Sequence, residues 1–86
     1  MNKLEKYQII QKIFESHRDL IENITDPEQL TNFLENYRFN GLRYYKEKNF
    51  DAFQYYNRLY QISLDRMKKL NINTKNYPAT LEAIMN

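Results

Sequence analysis

A single glycine, two prolines and no valine leave this 86-residue chain few ways to build sheet. Strands favour β-branched residues and hairpins favour Gly-containing turns, so their scarcity predicts an all-α protein. Hydrophobic spacing agrees. Over residues 3–24, Ile9, Ile10, Ile13, Phe14, His17, Leu20, Ile21 and Ile24 share one face at about 100° per residue. Gln8, Lys12, Glu15, Asp19 and Asn23 lie opposite. The spacing predicts an amphipathic helix that buries the isoleucine-rich face.

A second helix is predicted over residues 26–48. Asp26 is placed to cap it, Pro27 suits its first position, and Gln29 stands where a side chain can reach back to the cap amide. Leu30, Phe33, Leu34, Tyr37, Gly41, Tyr44 and Tyr45 form its apolar stripe. A glycine there costs ~1 kcal/mol against alanine, which implies that a neighbouring ring needs the space. The third helix, over residues 50–70, spreads apolar side chains from Ala52 to Leu70 over roughly 200°. One contact needs an arc of only about 100°, so this helix is expected to be central and to touch two neighbours. Asn71 is a candidate left-handed cap, and Pro78 is expected to open a short helix over 78–85 carrying Leu81, Ile84 and Met85. The architecture predicted is one domain over residues 1–86, an antiparallel three-helix bundle with a short fourth C-terminal helix.

So small a domain is marginally stable, at roughly 4–13 kcal/mol, and without cysteine it has no disulfide to help. Missing cysteines also favour a reducing, cytoplasmic setting, and no signal peptide or membrane span is readable. The net charge of +2 is unevenly spread: residues 1–35 carry four basic and seven acidic groups, and residues 36–75 carry nine basic and three acidic. Opposed halves of this kind can orient self-association or a partner.

Catalysis finds little support. One histidine, no cysteine and one glycine exclude thiol chemistry and a glycine-rich phosphate loop, so no catalytic residue, cofactor or metal site is assigned. His17 is a switch or ligand on one reading, and a boundary imidazole bonded to a tyrosine hydroxyl or a carbonyl on the other, favoured one. Asp19 and Glu22 are read as surface charge, and Asn23-Ile24-Thr25 as an accidental glycosylation sequon. Arg66 and Ser63 are assigned structural roles at the inward side of the third helix.

Ten of the thirteen aromatic residues fall between Phe33 and Tyr60. Phe39 and Leu42 project roughly 140–200° from Tyr37, so they form a second apolar patch unless the C-terminal segment covers them. Arg38, Phe39, Leu42, Arg43, Tyr45, Lys46, Phe53 and Tyr60 are therefore the candidate partner-binding residues, since aromatic side chains and arginine dominate contact energies. The partner expected is another protein or a second copy in a homodimer. Single-stranded nucleic acid is the weaker alternative, on the strength of basic residues interleaved with tyrosines.

The stretch Gly41-Leu42-Arg43-Tyr44 through Asn49-Phe50-Asp51-Ala52-Phe53-Gln54-Tyr55-Tyr56 resembles part of a tetratricopeptide helix pair. Its Gly-x-x-Tyr spacing matches, while the later alanine and tyrosine arrive one residue early and one pair falls short of the three repeats a solenoid needs. The resemblance implies two helices joined by a short basic turn and packed through small and aromatic residues. Size, basic balance and helix count are also similar to bacteriocin immunity proteins, small cytoplasmic four-helix bundles, a likeness of architecture. The function expected is that of a non-enzymatic interaction module: a regulator, inhibitor or adaptor.

Overall fold

The computed structural model describes residues 2–85, which form three long helices and one short one and no strand. Helix α1 spans Lys3–Asn23, α2 spans Pro27–Lys46, α3 spans Phe50–Lys69, and α4 spans Glu82–Met85. Each long helix starts on a polar cap. Asn2 accepts from the Glu5 amide at 2.8 Å, Asp26 from Glu28 at 3.2 Å, and Asn49 from Ala52 at 3.3 Å. Pro27 takes the first position of α2 as the sequence predicts. No bond back from Gln29 accompanies it among the described residues.

Helix ends are equally local. Lys48 takes a left-handed φ of 61°, and the Lys48 and Asn49 amides then donate to the Tyr45 and Tyr44 carbonyls at 3.0 and 2.9 Å. Asn71 repeats the motif at the end of α3, with φ 61° and bonds from Asn71 to Lys68 and from Ile72 to Met67. Both are Schellman caps, which satisfy carbonyls that a helix end otherwise leaves unpaired. Asn49 closes α2 and caps α3, so these two helices reverse direction within three residues.

α3 is central. It packs most extensively on α2 and more sparsely on α1, while α1 and α2 barely meet beyond their short connection. The Cα atoms extend 43 × 31 × 15 Å, the proportions of a slab. Phe14 and Ile21 of α1 meet Leu59, Leu64 and Met67 of α3 and Leu30, Leu34 and Tyr37 of α2 in one core. Removing such a side chain from water contributes about 1.5–3 kcal/mol each. Arg66 fastens the first connection by donating from Nε to the Ile24 carbonyl at 3.0 Å, and Ser63 donates to the Leu59 carbonyl within α3.

The C-terminal segment corrects two expectations. Pro78 does not begin a helix; its carbonyl accepts the Tyr60 hydroxyl at 2.7 Å, and helix resumes only at Glu82. Leu81 sits fully buried against Gly41, so the space that glycine leaves is taken by a leucine of the tail and not by a ring. The side chain of Met85, expected on α4, lies outside the described residues. No helix among the described residues is long and apolar enough to cross a membrane.

Candidate functional site

The eight residues expected at the interaction surface divide into two groups. Phe39, Arg43 and Lys46 recur at i, i+4 and i+7 and stand exposed along the outer side of α2, with the Phe39 ring 68% accessible. The C-terminal segment leaves that ring uncovered. Arg38, half-buried one residue before Phe39, donates to Glu35 at 3.0 Å. Leu42 and Tyr45 are half-buried and pack on the core.

Phe53 and Tyr60 do not belong to a surface. Phe53 is 2% and Tyr60 0% exposed. Phe53 lies edge-on to Tyr45, ring centroids 5.0 Å apart, and Tyr60 lies beneath the tail. The place of Tyr60 on the wide apolar arc of α3 reflects a third neighbour, the C-terminal segment that accepts its hydroxyl at Pro78, whereas Phe53 is covered from α2 by Tyr45.

The exposed apolar surface lies chiefly on α1, where the sequence predicts burial. Only Phe14 and Ile21 within the helix are buried, along with Ile24 just beyond it. Leu4 and Tyr7 are 64% exposed, and Ile9, Ile10, Ile13 and Leu20 are 45–47% exposed. Because α3 is broad enough for one line of contact, α1 rests on it through Phe14 and Ile21 and turns its remaining apolar residues outward. The signal was present in the spacing: Ile9, Ile13 and Leu20 lie roughly 110° around the helix from the Phe14–Ile21 line, more than one contact covers.

Between the N-terminal half of α1 and the start of α3 lies an open groove of about 540 Å³. Ile10 and Ile13 form one wall, and Tyr44, Tyr55 and Tyr56 the other, with Lys6 and Asp51 supplying opposite charges. Its tyrosines hold one another. Tyr44 and Tyr56 stack with centroids 5.6 Å apart, and Tyr55 meets Tyr56 edge-on at 5.1 Å. The Tyr44–Tyr56 stack joins α2 to α3 across their short turn. Burial, and secondarily the neighbouring Tyr56, pushes the Tyr55 hydroxyl up from its ordinary value.

His17 is half-buried, with Nδ1 3.3 Å from the Tyr37 hydroxyl, the boundary arrangement expected of it. Burial pushes that hydroxyl up to about 12, and Tyr55 and Tyr56 add to the effect. Among the described residues no group of three acidic, histidine or cysteine side chains is placed to hold a metal ion. The basic side chains nearest the rings are already engaged: the Arg43 guanidinium lies 4.7 Å from the Tyr44 centroid, and that of Arg58 lies 4.3 Å from Phe14.

No protein-family model matches this chain, and no curated protein or solved structure shows significant similarity to it.

Proposed function

We propose that this chain is a small, non-enzymatic cytoplasmic protein that acts by binding another protein or a second copy of itself, as a regulator, inhibitor or adaptor. One observation carries the reading. Leu4, Tyr7, Ile9, Ile10, Ile13 and Leu20 are each at least 45% exposed along a single helix. Isolated apolar side chains on a surface are ordinary, but Ile9, Ile13 and Leu20 on one side of α1, with Ile10 beside an open apolar groove, suit a face that is covered in use. Phe39 and Arg43, exposed on α2 and followed by Lys46, supply a second flank with residue types enriched at interfaces. The lack of cysteine suits a reducing compartment.

Nucleic acid is the weaker reading, because stacking on bases needs free rings, and Tyr44, Tyr55 and Tyr56 are packed on each other.

The test is a comparison of the wild type with an Ile9→Glu/Ile13→Glu variant whose helicity by circular dichroism is unchanged. Sedimentation of each protein alone, and co-purification of each from its host, should show complexes for the wild type that the variant loses. A wild type that stays single and recovers the same proteins as the variant would remove the reading.

A further inference from the structure

We infer that α1 pairs antiparallel with α1 of a second copy, in one register set by Lys12 and Asp19. The inference rests on the interaction reading above and names the partner of that same face.

Ile9, Ile13, Ser16 and Leu20 recur at intervals of four, three and four, the spacing of a coiled-coil seam, and all four are exposed. The seam lies roughly 110° from the line that touches α3, so a second helix can follow it without displacing α3. α1 is also an outer helix of the slab, since α3 lies between it and the bulk of α2. At about 1.5 Å per residue its 21 residues offer an edge of roughly 30 Å.

Charge then selects among the ways two such seams can meet. Glu5, Lys12 and Asp19 flank the seam on one side, and Ile10 and His17 flank it on the other. In an antiparallel pair with Ile13 opposite Ser16 of the second copy, Ile9 falls opposite Leu20. Lys12 then lies beside Asp19 of the second copy, and Ile10 beside His17. Two-fold symmetry makes each of these contacts twice. Sliding the pair by one heptad in one direction sets Lys12 against Lys12 and Glu5 against Asp19. Sliding it the other way sets Asp19 against Asp19. A parallel, in-register pair places Lys6 against Lys6 inside the seam and brings no opposite charges together. Of these arrangements only the first sets an apolar layer, Ile9 against Leu20, beside opposite charges and avoids like ones, and such flanking pairs are what set orientation in coiled coils. Lys12 and Asp19 are both exposed, and among the described residues Asp19 has only a 3.9 Å approach from Arg18 as an ion pair.

Charge reversal followed by exchange tests the register. Sedimentation equilibrium of the wild type should show a monomer–dimer equilibrium. Lys12→Asp alone and Asp19→Lys alone should each weaken dimerisation by about tenfold, because two favourable pairs become two repulsive ones. The exchanged variant Lys12→Asp/Asp19→Lys should restore it to near the wild-type value. Ser16→Leu, which places leucine opposite Ile13, should tighten the dimer. A wild type that remains monomeric at the highest attainable concentration overturns the inference; the broader reading then stands or falls on the Ile9→Glu/Ile13→Glu comparison with host proteins. A dimer indifferent to both single reversals, or one that the exchange fails to restore, overturns this register.

Discussion

Asn57, near the middle of α3, holds the backbone of Leu81: its Oδ1 accepts the Leu81 amide at 3.0 Å, and its Nδ2 donates to Glu82 at 3.3 Å. The asparagine is buried, and both polar atoms of its amide are bonded in a place where an unpaired polar atom is costly. It seats the leucine that fills the space above Gly41 and thereby closes the outer part of α3. Replacing it by leucine leaves the Leu81 amide without a partner. Asn57→Leu is expected to cost about 1–3 kcal/mol in urea unfolding and to speed tryptic cleavage after Lys75, in the loop that leads to the tail.

Gly41→Ala is expected to behave opposite to an ordinary helix substitution. An exposed helical glycine gains about 1 kcal/mol on becoming alanine. Here the new Cβ would run into the Leu81 side chain and stand in close contact with Tyr56. Overpacking of this kind costs about 1–3 kcal/mol. Leu81→Ala opens a cavity and is expected to cost about 2–5 kcal/mol by itself. A denaturation cycle of the two single variants and the double should show the double to be less destabilised than their sum.

Lys48 marks a place where stability can be gained. With φ 61° it holds a conformation that costs an L residue about 1–2 kcal/mol, and its exposed side chain makes no hydrogen bond or ion pair in return among the described residues. Lys48→Gly should stabilise the protein by about 0.5–1 kcal/mol, the remainder being lost to glycine's greater freedom in the unfolded chain. Asn71→Gly should gain less, since asparagine tolerates this geometry. Urea midpoints at constant slope would measure both.

Alkaline pH should unfold the protein through Tyr37. Its hydroxyl titrates at about 12 in the folded state against 10.0 for a free tyrosine, so the folded chain keeps a proton that the unfolded chain gives up. The stability this represents, on the order of 2–3 kcal/mol, is fully present below pH 10 and is lost as pH rises toward 12. Tyr55 and Tyr60 are raised in the same direction, chiefly by burial. Ultraviolet titration of phenolate should show a late, cooperative fraction that coincides with loss of helicity, and Tyr37→Phe should shift that unfolding to higher pH.

What could be read in advance is what depends on neighbours in the chain. The Asp26-Pro27 start of α2 and the left-handed Asn71 follow from local chemistry, and the central place of α3 follows from the width of its apolar arc. His17 was legible as a boundary imidazole, although its partner Tyr37 was not. Contacts between distant residues were harder. The occupant of the space at Gly41 comes from forty residues later, and periodicity cannot tell an apolar position covered by a tail from one left for a partner. Tyr60 was misplaced for that reason, and Phe53 because Tyr45 of α2 packs on it. The isoleucines of α1 were misplaced for the converse one: a regular apolar face says that a helix prefers to be covered, and its neighbour decides how much of it is.

With its Cα atoms spanning only 15 Å along the shortest axis, the body has little depth. Every ring in it lies about one side chain from water on one broad surface or the other, so hydration competes with packing across the full width. An occupant of the free edge, as proposed above, would therefore thicken or widen the hydrophobic film that keeps the molecule ordered. Melting temperature becomes a gauge of that occupancy, climbing with protein concentration or with added ligand as mass action requires.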